Sequence, residues 1–378
     1  MTDKVTFSEQ ECANGLNRIG IATLDNVASL NALTFNMLKK LNNQLIQWQE
    51  DPSIVCVILK GEGEKAFCAG GDVRTMYHVM HEHDKQATAK FCTDYFALEY
   101  ACDYLIHTYK KPIIGWGEGI VMGGGMGLFM GTSHKVVTPK SRLAMPEINI
   151  GLYPDVGGTW FLSSIDPEVG LFLGLTGAIV NSSDAVTIGL AQWMLLVEQF
   201  PILVEELTRV DWSSADAHSL VSALLQLLQE QVVDNKPLAQ LAPYLGEIKQ
   251  VCQGDDLNLI AERIQGLKGD SDWLEAAKQS FVSGSPITAH ICFRQVKDYH
   301  HLSLADCFRL ELSLSVRSAL LGEFEEGVRA RLIDKDGQPK WMFNNVSEVD
   351  QMVIDTLFSS LWTEHEHPLA NLGKEGKL

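Results

Sequence analysis

The chain has no excess of basic charge: 30 Lys and Arg stand against 48 Asp and Glu, a formal charge of −18. That sign argues against a generic nucleic-acid or anionic-membrane binder, so an anionic ligand would have to be held by a few local cations. No Cys-x-x-Cys pair occurs among the eight cysteines, Cys12, Cys56, Cys68, Cys92, Cys102, Cys252, Cys292 and Cys307. Most lie in apolar company such as Val55-Cys56-Val57, which points to buried reduced thiols and away from a disulfide framework or a zinc site. The runs G-x-x-x-x-G-K-[ST], G-x-G-x-x-G and G-x-S-x-G are all missing, and with them the P-loop, the dinucleotide fingerprint and the serine-hydrolase elbow. Internal repeats and low-complexity tracts are absent as well.

Two further absences concern location and metal. Met1-Thr2-Asp3-Lys4-Val5 carries neither the basic flank and apolar core of a signal peptide nor the Arg-rich, acid-poor character of a transit peptide, so a cytoplasmic protein is expected. Residues 112–131 are apolar and space Gly123, Gly127 and Gly131 like a membrane helix-pairing motif, but Glu118 interrupts them and a strand followed by a helix accounts for the same letters. No membrane association is expected. His78, His81 and His83, and again His365 and His367, stand in charged company that suits solvated faces better than metal ligation.

What the chain does have is a length of 378 residues, 46% of them hydrophobic, enough for a large core and two or three substructures. Val5–Phe7 and Arg18–Leu24 read as strands joined through the turn dipeptide Asn14-Gly15. A loop over Asn26–Leu33 precedes a helix near Thr34–Glu50, with Leu38, Leu41, Leu45 and Trp48 on one face. Ile54–Leu59 is a continuously apolar, β-branched strand of the kind covered on both faces. Helices are expected from Asp72 towards His83 and over Lys90–Tyr109, strands over Pro112–Trp116 and His134–Thr138, and a glycine-rich strand-to-helix passage over Gly117–Gly131. Strands alternating with helices predict an α/β core over 1–199. Beyond it the pattern is helical, a connecting region over 200–270 and a C-terminal region over 271–378. Leu220, Leu224, Leu227 and Leu228 mark one amphipathic helix there, Leu304, Phe308, Leu312 and Val316 another. Asp272 with Glu275 and Ser303 with Asp306 read as N-terminal caps.

Ala144–Gly158 is the stretch where chemistry is expected. Glu147 and Asp155 each follow a proline directly and stand eight positions apart in an otherwise apolar segment. Proline stiffens the backbone that carries them, which is expected to be non-helical. Loss of hydration among apolar neighbours raises a carboxyl pKa towards the range useful for proton transfer. Either acid alone could simply cap a following helix. Upstream, however, Gly70-Gly71 precedes the helical N-cap Asp72, and Gly123-Gly124-Gly125 opens another helix, so two glycine turns could each offer a backbone N–H. Paired N–H donors suit an acyl oxygen that becomes negative in the transition state, and carboxylates suit attack or proton transfer beside it. Together they suggest chemistry on an activated acyl group without a metal or redox cofactor.

Three segments carry a family resemblance: Lys65-Ala66-Phe67-Cys68-Ala69-Gly70-Gly71-Asp72, Gly123-Gly124-Gly125-Met126-Gly127 and Met145-Pro146-Glu147. They resemble the signature segments of the crotonase (enoyl-CoA hydratase/isomerase) superfamily. Within it the chain is most similar to the 3-hydroxyisobutyryl-CoA hydrolase group, through Ser285-Pro286, Glu326-Gly327-Val328-Arg329-Ala330, Leu332-Ile333-Asp334-Lys335-Asp336 and Pro339-Lys340-Trp341. The resemblance implies a spiral of ββα units with a helical C-terminal region and an oxyanion hole made of the Gly71 and Gly124 N–H groups. It also implies an acyl-CoA substrate with its adenine and phosphates along the edge near 60–72, and a place in valine catabolism. Superfamily members often form trimers or hexamers, so a homo-oligomer is possible.

The resemblance also bears on the reaction. Similar hydratases carry one glutamate three residues after the middle glycine of the Gly-rich turn, where this chain has Gly127, and a second in the Pro-Glu motif, where it has Glu147. Where those hydratases commonly have glycine it carries Asp155, in a Tyr-Pro-Asp-Val-Gly-Gly context like that of the hydrolases. This implies thioester cleavage, with Glu147 attacking the carbonyl or activating a water. Asp155 would bind the substrate hydroxyl and Glu99, from the Glu-Tyr pair of the hydrolases, would line the same pocket. The chain departs from the hydrolases at Asn149, Tyr153 and Ser163-Ser164, where they often carry a small residue, Phe and Pro-Arg. A hydratase or isomerase, or a non-catalytic scaffold on the same fold, are the alternatives.

Overall fold

Asn14-Gly15 turns the chain as expected, with the Asn14 side chain accepting from the N–H groups of Leu16 and Asn17. Across this turn β1 (Lys4–Glu11) and β2 (Arg18–Asp25) pair antiparallel, from Lys4 opposite Asp25 to Glu11 opposite Arg18. The computed structural model describes residues 4–232 and 236–374. Thr34 caps α1 (Phe35–Glu50) by accepting from the Met37 N–H at 3.2 Å, and the helix buries Leu38, Leu41, Leu45 and Trp48, the face its periodicity marks.

The remaining strands are β3 (Ile54–Gly61), β4 (Ala66–Cys68), β5 (Ile113–Gly117), β6 (Ile120–Met122), β7 (His134–Val137), β8 (Arg142–Ala144), β9 (Val180–Asn181) and β10 (Trp193–Met194). From β3 to β8 they alternate between two sheets, a six-stranded one of order β1-β2-β3-β5-β7-β10 and a four-stranded one of order β4-β6-β8-β9. Each pass of the chain thus leaves one strand in each sheet. Helices α2 (Val73–Glu82) and α3 (Lys85–His107) follow the pair β3 and β4, and α4 (Gly124–Gly131) follows β5 and β6. This is the ββα repeat that the resemblance implies. Strand β3 lies between β2 and β5, parallel to both, which is why its sequence is apolar without alternation.

From Phe200 to Leu357 the described residues form helices joined by turns and by longer irregular segments such as 334–345, as expected of the C-terminal part. Four local expectations are corrected. Helix α3 starts at Lys85, before Lys90, because Asp84 accepts from the Ala87 N–H and initiates it. The helix Ala217–Gln229 buries Val221, Leu225 and Leu228 and leaves Leu227 exposed, so its inward stripe is turned from the leucine pattern. Ser271 occupies the cap position assigned to Asp272, which is the first helical residue. His367 is buried, with Nε2 3.1 Å from the Arg309 carbonyl, so it lies on no solvated face.

The residues group into two units: Met1–Gly71 with Cys102–Leu143 and Val180–Ala239, and Asp72–Ala101 with Ala144–Ile179 and Gln240–Leu378. They interleave along the chain, a different partition from the consecutive stretches 1–199, 200–270 and 271–378. The strands belong to the first unit, apart from the last residue of β8. The second is helical, and Tyr95, Phe96, Phe161, Phe172, Phe308 and Phe324 are among its fully buried side chains. All eight cysteines are buried thiols.

Candidate active site

In the first unit the two glycine turns meet. Gly70 has φ 119° and Gly123 φ 52°, values open to glycine and strained for other residues. A Cβ on Gly70 would lie 3.7 Å from the Gly124 nitrogen, and one on Gly125 would fall 2.3 Å from the Cys68 carbonyl oxygen. Only the absence of that side chain lets the second turn settle against the first. Gly71 bridges to Leu33 in parallel fashion, the Leu33 N–H donating to the Gly70 carbonyl at 2.8 Å, and Gly124 is the first residue of α4. Neither the Gly71 nor the Gly124 N–H donates to an acceptor among the described residues. The structure therefore presents two unspent donors on neighbouring turns, where the sequence places them. Gly125, whose missing Cβ makes the approach possible, was visible in the sequence as part of a glycine triplet and had no separate role there.

In the second unit three acids named from the sequence come together. Glu147 opens a one-turn 3-10 helix, Glu147–Ile150, which corrects the expectation of a non-helical backbone at this position. Gly151 ends that turn at φ 67°, and Ser285 donates its N–H to the Ile148 carbonyl at 2.9 Å. Asp155 follows Pro154 in an irregular segment that leads through Val156, at φ 51°, into α5 (Gly158–Ser164). Glu99 comes from α3.

All three carboxyls are buried, at 2 to 4% exposure, and Glu99 Oε1 and Glu147 Oε2 have no hydrogen-bond partner among the described residues. Buried polar atoms left unpaired are uncommon and mark places where a ligand completes the bonding. Burial pushes the Glu147 carboxyl well above the usual range, and the charges of Asp155 and Glu99 add to that. Glu99 is raised by burial and then by Asp155. Asp155 is pushed up to about 7 by burial, while the Tyr100 hydroxyl beside it pulls the other way. Acids so placed cannot all be ionised near neutral pH, so at least one carboxyl of the cluster keeps its proton.

The surrounding groups were largely missed in the sequence. Helix Leu304–Leu321 buries Glu311 and Ser315, one turn apart on the same face. The Glu311 carboxyl accepts from the Gly157 N–H at 2.7 Å and the Thr159 N–H at 2.9 Å, which fastens the backbone just after Asp155. Gln295 adds a bond to the Pro154 carbonyl at 2.9 Å. Tyr100 meets Asp155 Oδ2 at 2.7 Å, and Tyr153 donates to the Glu311 carbonyl at 2.7 Å. A signal existed in Glu311 and Ser315, polar residues each flanked by apolar ones, but nothing in the sequence ties them to residue 155. Of the other departures from the hydrolase pattern, Asn149 bonds Ser280 at 2.8 Å, and Ser163 and Ser164 donate back to their own helix. No group of three His, Cys, Asp or Glu side chains among the described residues is arranged to hold a metal ion.

A family model described as enoyl-CoA hydratase/isomerase matches residues 19–358. A "3-hydroxyisobutyryl-CoA hydrolase, mitochondrial" from Danio rerio is 36% identical over 347 residues, covering 92% of this chain and 88% of that protein. The protein of that name from Homo sapiens is 35% identical, covering 90% of this chain and 86% of its own length. Among solved structures, an enoyl-CoA hydratase from Rhodobacter sphaeroides 2.4.1 superposes with a TM-score of 0.80 at 28% identity, covering 95% of this chain and 98% of that one. A carnitinyl-CoA dehydratase from Mycobacterium thermoresistibile gives 0.79 at 29% identity, covering 94% and 96%.

Proposed function

Because the chain belongs to the enoyl-CoA hydratase/isomerase family, we propose that it hydrolyses the thioester of a short 3-hydroxyacyl-CoA, 3-hydroxyisobutyryl-CoA to 3-hydroxyisobutyrate and CoA. The observation that carries this reading is the composition of the buried acid cluster. Gly127 leaves the Gly-rich turn without an acid, while Asp155 joins Glu147 and Glu99. The relatives named 3-hydroxyisobutyryl-CoA hydrolase support the same substrate.

In this reading the Gly71 and Gly124 N–H groups form the oxyanion hole that polarises the thioester carbonyl. Donors of this kind are worth roughly 3 kcal/mol each where negative charge develops. Family membership carries their assignment to the same thioester as the acids. Glu147 attacks the carbonyl carbon or removes a proton from the attacking water, either of which requires its ionised form. Asp155 binds the substrate's 3-hydroxyl and positions Glu147 or its water, and Glu99 lines the acyl site. The carbon–sulfur bond breaks and CoA leaves as its thiol, its proton supplied by the water whose hydroxyl ends on the acyl group, either directly or on hydrolysis of an acyl-Glu147 anhydride; its adenine and phosphates lie along the edge near 60–72. No cofactor beyond the CoA of the substrate takes part.

Release of free CoA thiol from 3-hydroxyisobutyryl-CoA, measured beside hydration of crotonyl-CoA, tests the proposal. Thiol release without hydration is expected; hydration without thiol release overturns it. No helix among the described residues is long and apolar enough to cross a membrane. Cytoplasmic residence and self-association belong to the proposal too, the former against the mitochondrial names of the vertebrate relatives. Cell fractionation and sedimentation test them.

A further inference from the structure

Tyr100, Ser315 and Tyr153 have no part in the reaction as described so far, yet their hydroxyls run in a line from Asp155 to a backbone carbonyl. Asp155 Oδ2 lies 2.7 Å from Tyr100 Oη, and Tyr100 Oη lies 2.6 Å from Ser315 Oγ. Ser315 Oγ lies 2.7 Å from Tyr153 Oη, which lies 2.7 Å from the Glu311 carbonyl oxygen. Each separation is a hydrogen-bond distance between two oxygens, and each therefore calls for a proton in between. A hydroxyl supplies one proton and a carbonyl none. The four contacts need four protons, and the three hydroxyls provide three. The missing one can come only from the carboxyl of Asp155.

We propose that the buried hydroxyl chain Tyr100–Ser315–Tyr153 holds a proton on Asp155, which makes these three side chains positioning residues for the hydrolysis. The inference rests on the hydrolase reading for its purpose and on the oxygen contacts alone for its existence. With Asp155 protonated, every O–H points the same way: Asp155 donates to Tyr100, Tyr100 to Ser315, Ser315 to Tyr153, and Tyr153 to the Glu311 carbonyl. With Asp155 ionised, Tyr100 turns its O–H to the carboxylate and Ser315 turns to Tyr100. Ser315 and Tyr153 are then left in contact with no proton between them. Asp155, Tyr100, Tyr153 and Ser315 are all buried, so bulk solvent does not relieve that contact.

Among the described residues no cation faces Asp155, and against the proton stands the hydrogen bond that Tyr100 gives an ionised carboxylate. The groups that face Asp155 are Glu99 and Tyr100 from α3, Glu147 and Tyr153 from its own segment, and Glu311 and Ser315 from helix Leu304–Leu321. None of them is a cation, and the three glutamates favour the neutral acid. The consequence for the reaction falls on Glu147. A neutral Asp155 takes away the charge that adds to burial in raising Glu147, which lowers the cost of ionising Glu147 for the attack.

Two variants test this. Tyr153→Phe removes the contact that lacks a proton, after which an ionised Asp155 is fully bonded through Tyr100 and Ser315. Ser315→Ala leaves Tyr100 with the carboxylate as its only acceptor in the line. Infrared difference spectra of the full-length protein between pH 5 and 9 follow the carbonyl stretch of protonated Asp155, assigned by its disappearance in Asp155→Asn. The midpoint of that band is expected to fall by at least one pH unit in both variants, a tenfold change in proton affinity. The alkaline limb of kcat/KM for thiol release should fall with it. An unmoved midpoint in either folded variant overturns the proposal, and if thiol release persists there the hydrolase reading stands without it. If wild-type protein releases no thiol, the hydrolase reading fails and the infrared midpoint still decides the hydroxyl chain.

Discussion

The glycine turns and the acid cluster present polar groups by opposite means. In the proposed reaction the working groups at Gly70–Gly71 and Gly123–Gly125 are backbone N–H donors, aimed by positive φ and by the absence of a Cβ that would strike Cys68. No side chain has to be placed, and the residues that matter are contiguous. At Glu99, Glu147 and Asp155 the working groups are side chains from two separated segments, held by Glu311 and Ser315 from a third. The first region depends on local conformation. The second depends on burial, which both raises the proton affinities of its acids and leaves two of their oxygens unpaired. A backbone device tolerates almost no substitution at its own positions, whereas a side-chain cluster can be retuned from residues that never touch substrate.

Substitutions can break that comparison. Glu147→Gln should have the largest effect, a loss of thiol release by about three orders of magnitude or more. The stabilisation of the fold by a CoA ester should survive, as read by the shift in melting temperature. Near-normal turnover would remove Glu147 from the chemistry. Gly125→Ala attacks the other region: a Cβ 2.3 Å from the Cys68 carbonyl must push the two turns apart. Turnover should drop about 10²- to 10³-fold, as when one oxyanion donor is lost, with the melting temperature lowered by a few degrees. Full activity in a folded Gly125→Ala protein would mean that the glycine turns are structural only.

Asp155→Gly should come next, with hydrolysis reduced about 10²-fold and the preference for hydroxylated over plain acyl-CoA esters lost; kcat/KM for the two ester types checks it. An unchanged preference would separate Asp155 from the substrate hydroxyl. The smallest effect is on stability. Asp155, raised from 3.8 to about 7, keeps a proton in the folded state that the unfolded chain has released. Unfolding then releases protons, so stability is greatest at or below about pH 4 as far as this group is concerned and declines as pH rises towards 7. The change is at most about 4 kcal/mol, from roughly three pH units at about 1.4 kcal/mol each. Melting curves from pH 5 to 8.5 should show the decline, and Asp155→Asn should flatten it; an identical slope in that variant would count against a raised Asp155.

How much of this was legible in the chain follows from the same contrast. The two glycine turns, five of the six strands of the larger sheet and the cap at Ser303 could be placed because each rests on a short run of residues whose preferred backbone is the one found. Glu147 and Asp155 stood out because a proline before an acid in apolar company is unusual in one short stretch. Glu99 needed the resemblance to the hydrolases. Glu311, Ser315 and Gln295 escaped notice, since their partners lie more than 130 residues away in sequence. The leucine pattern of Ala217–Gln229 misled for a related reason: a helix of mostly apolar residues has several candidate faces, and its neighbours choose among them.

By itself, then, the sequence determined where the backbone bends, where it offers free N–H groups and which two acids it stiffens with proline. These are short-range properties, governed by φ preferences and by the presence or absence of a Cβ. The tertiary structure alone decided which proton each acid keeps, because that depends on desolvation and on oxygens brought from distant helices to within 3 Å. The count of protons along Asp155, Tyr100, Ser315, Tyr153 and the Glu311 carbonyl is a property of that assembly, and no segment of the chain contains it.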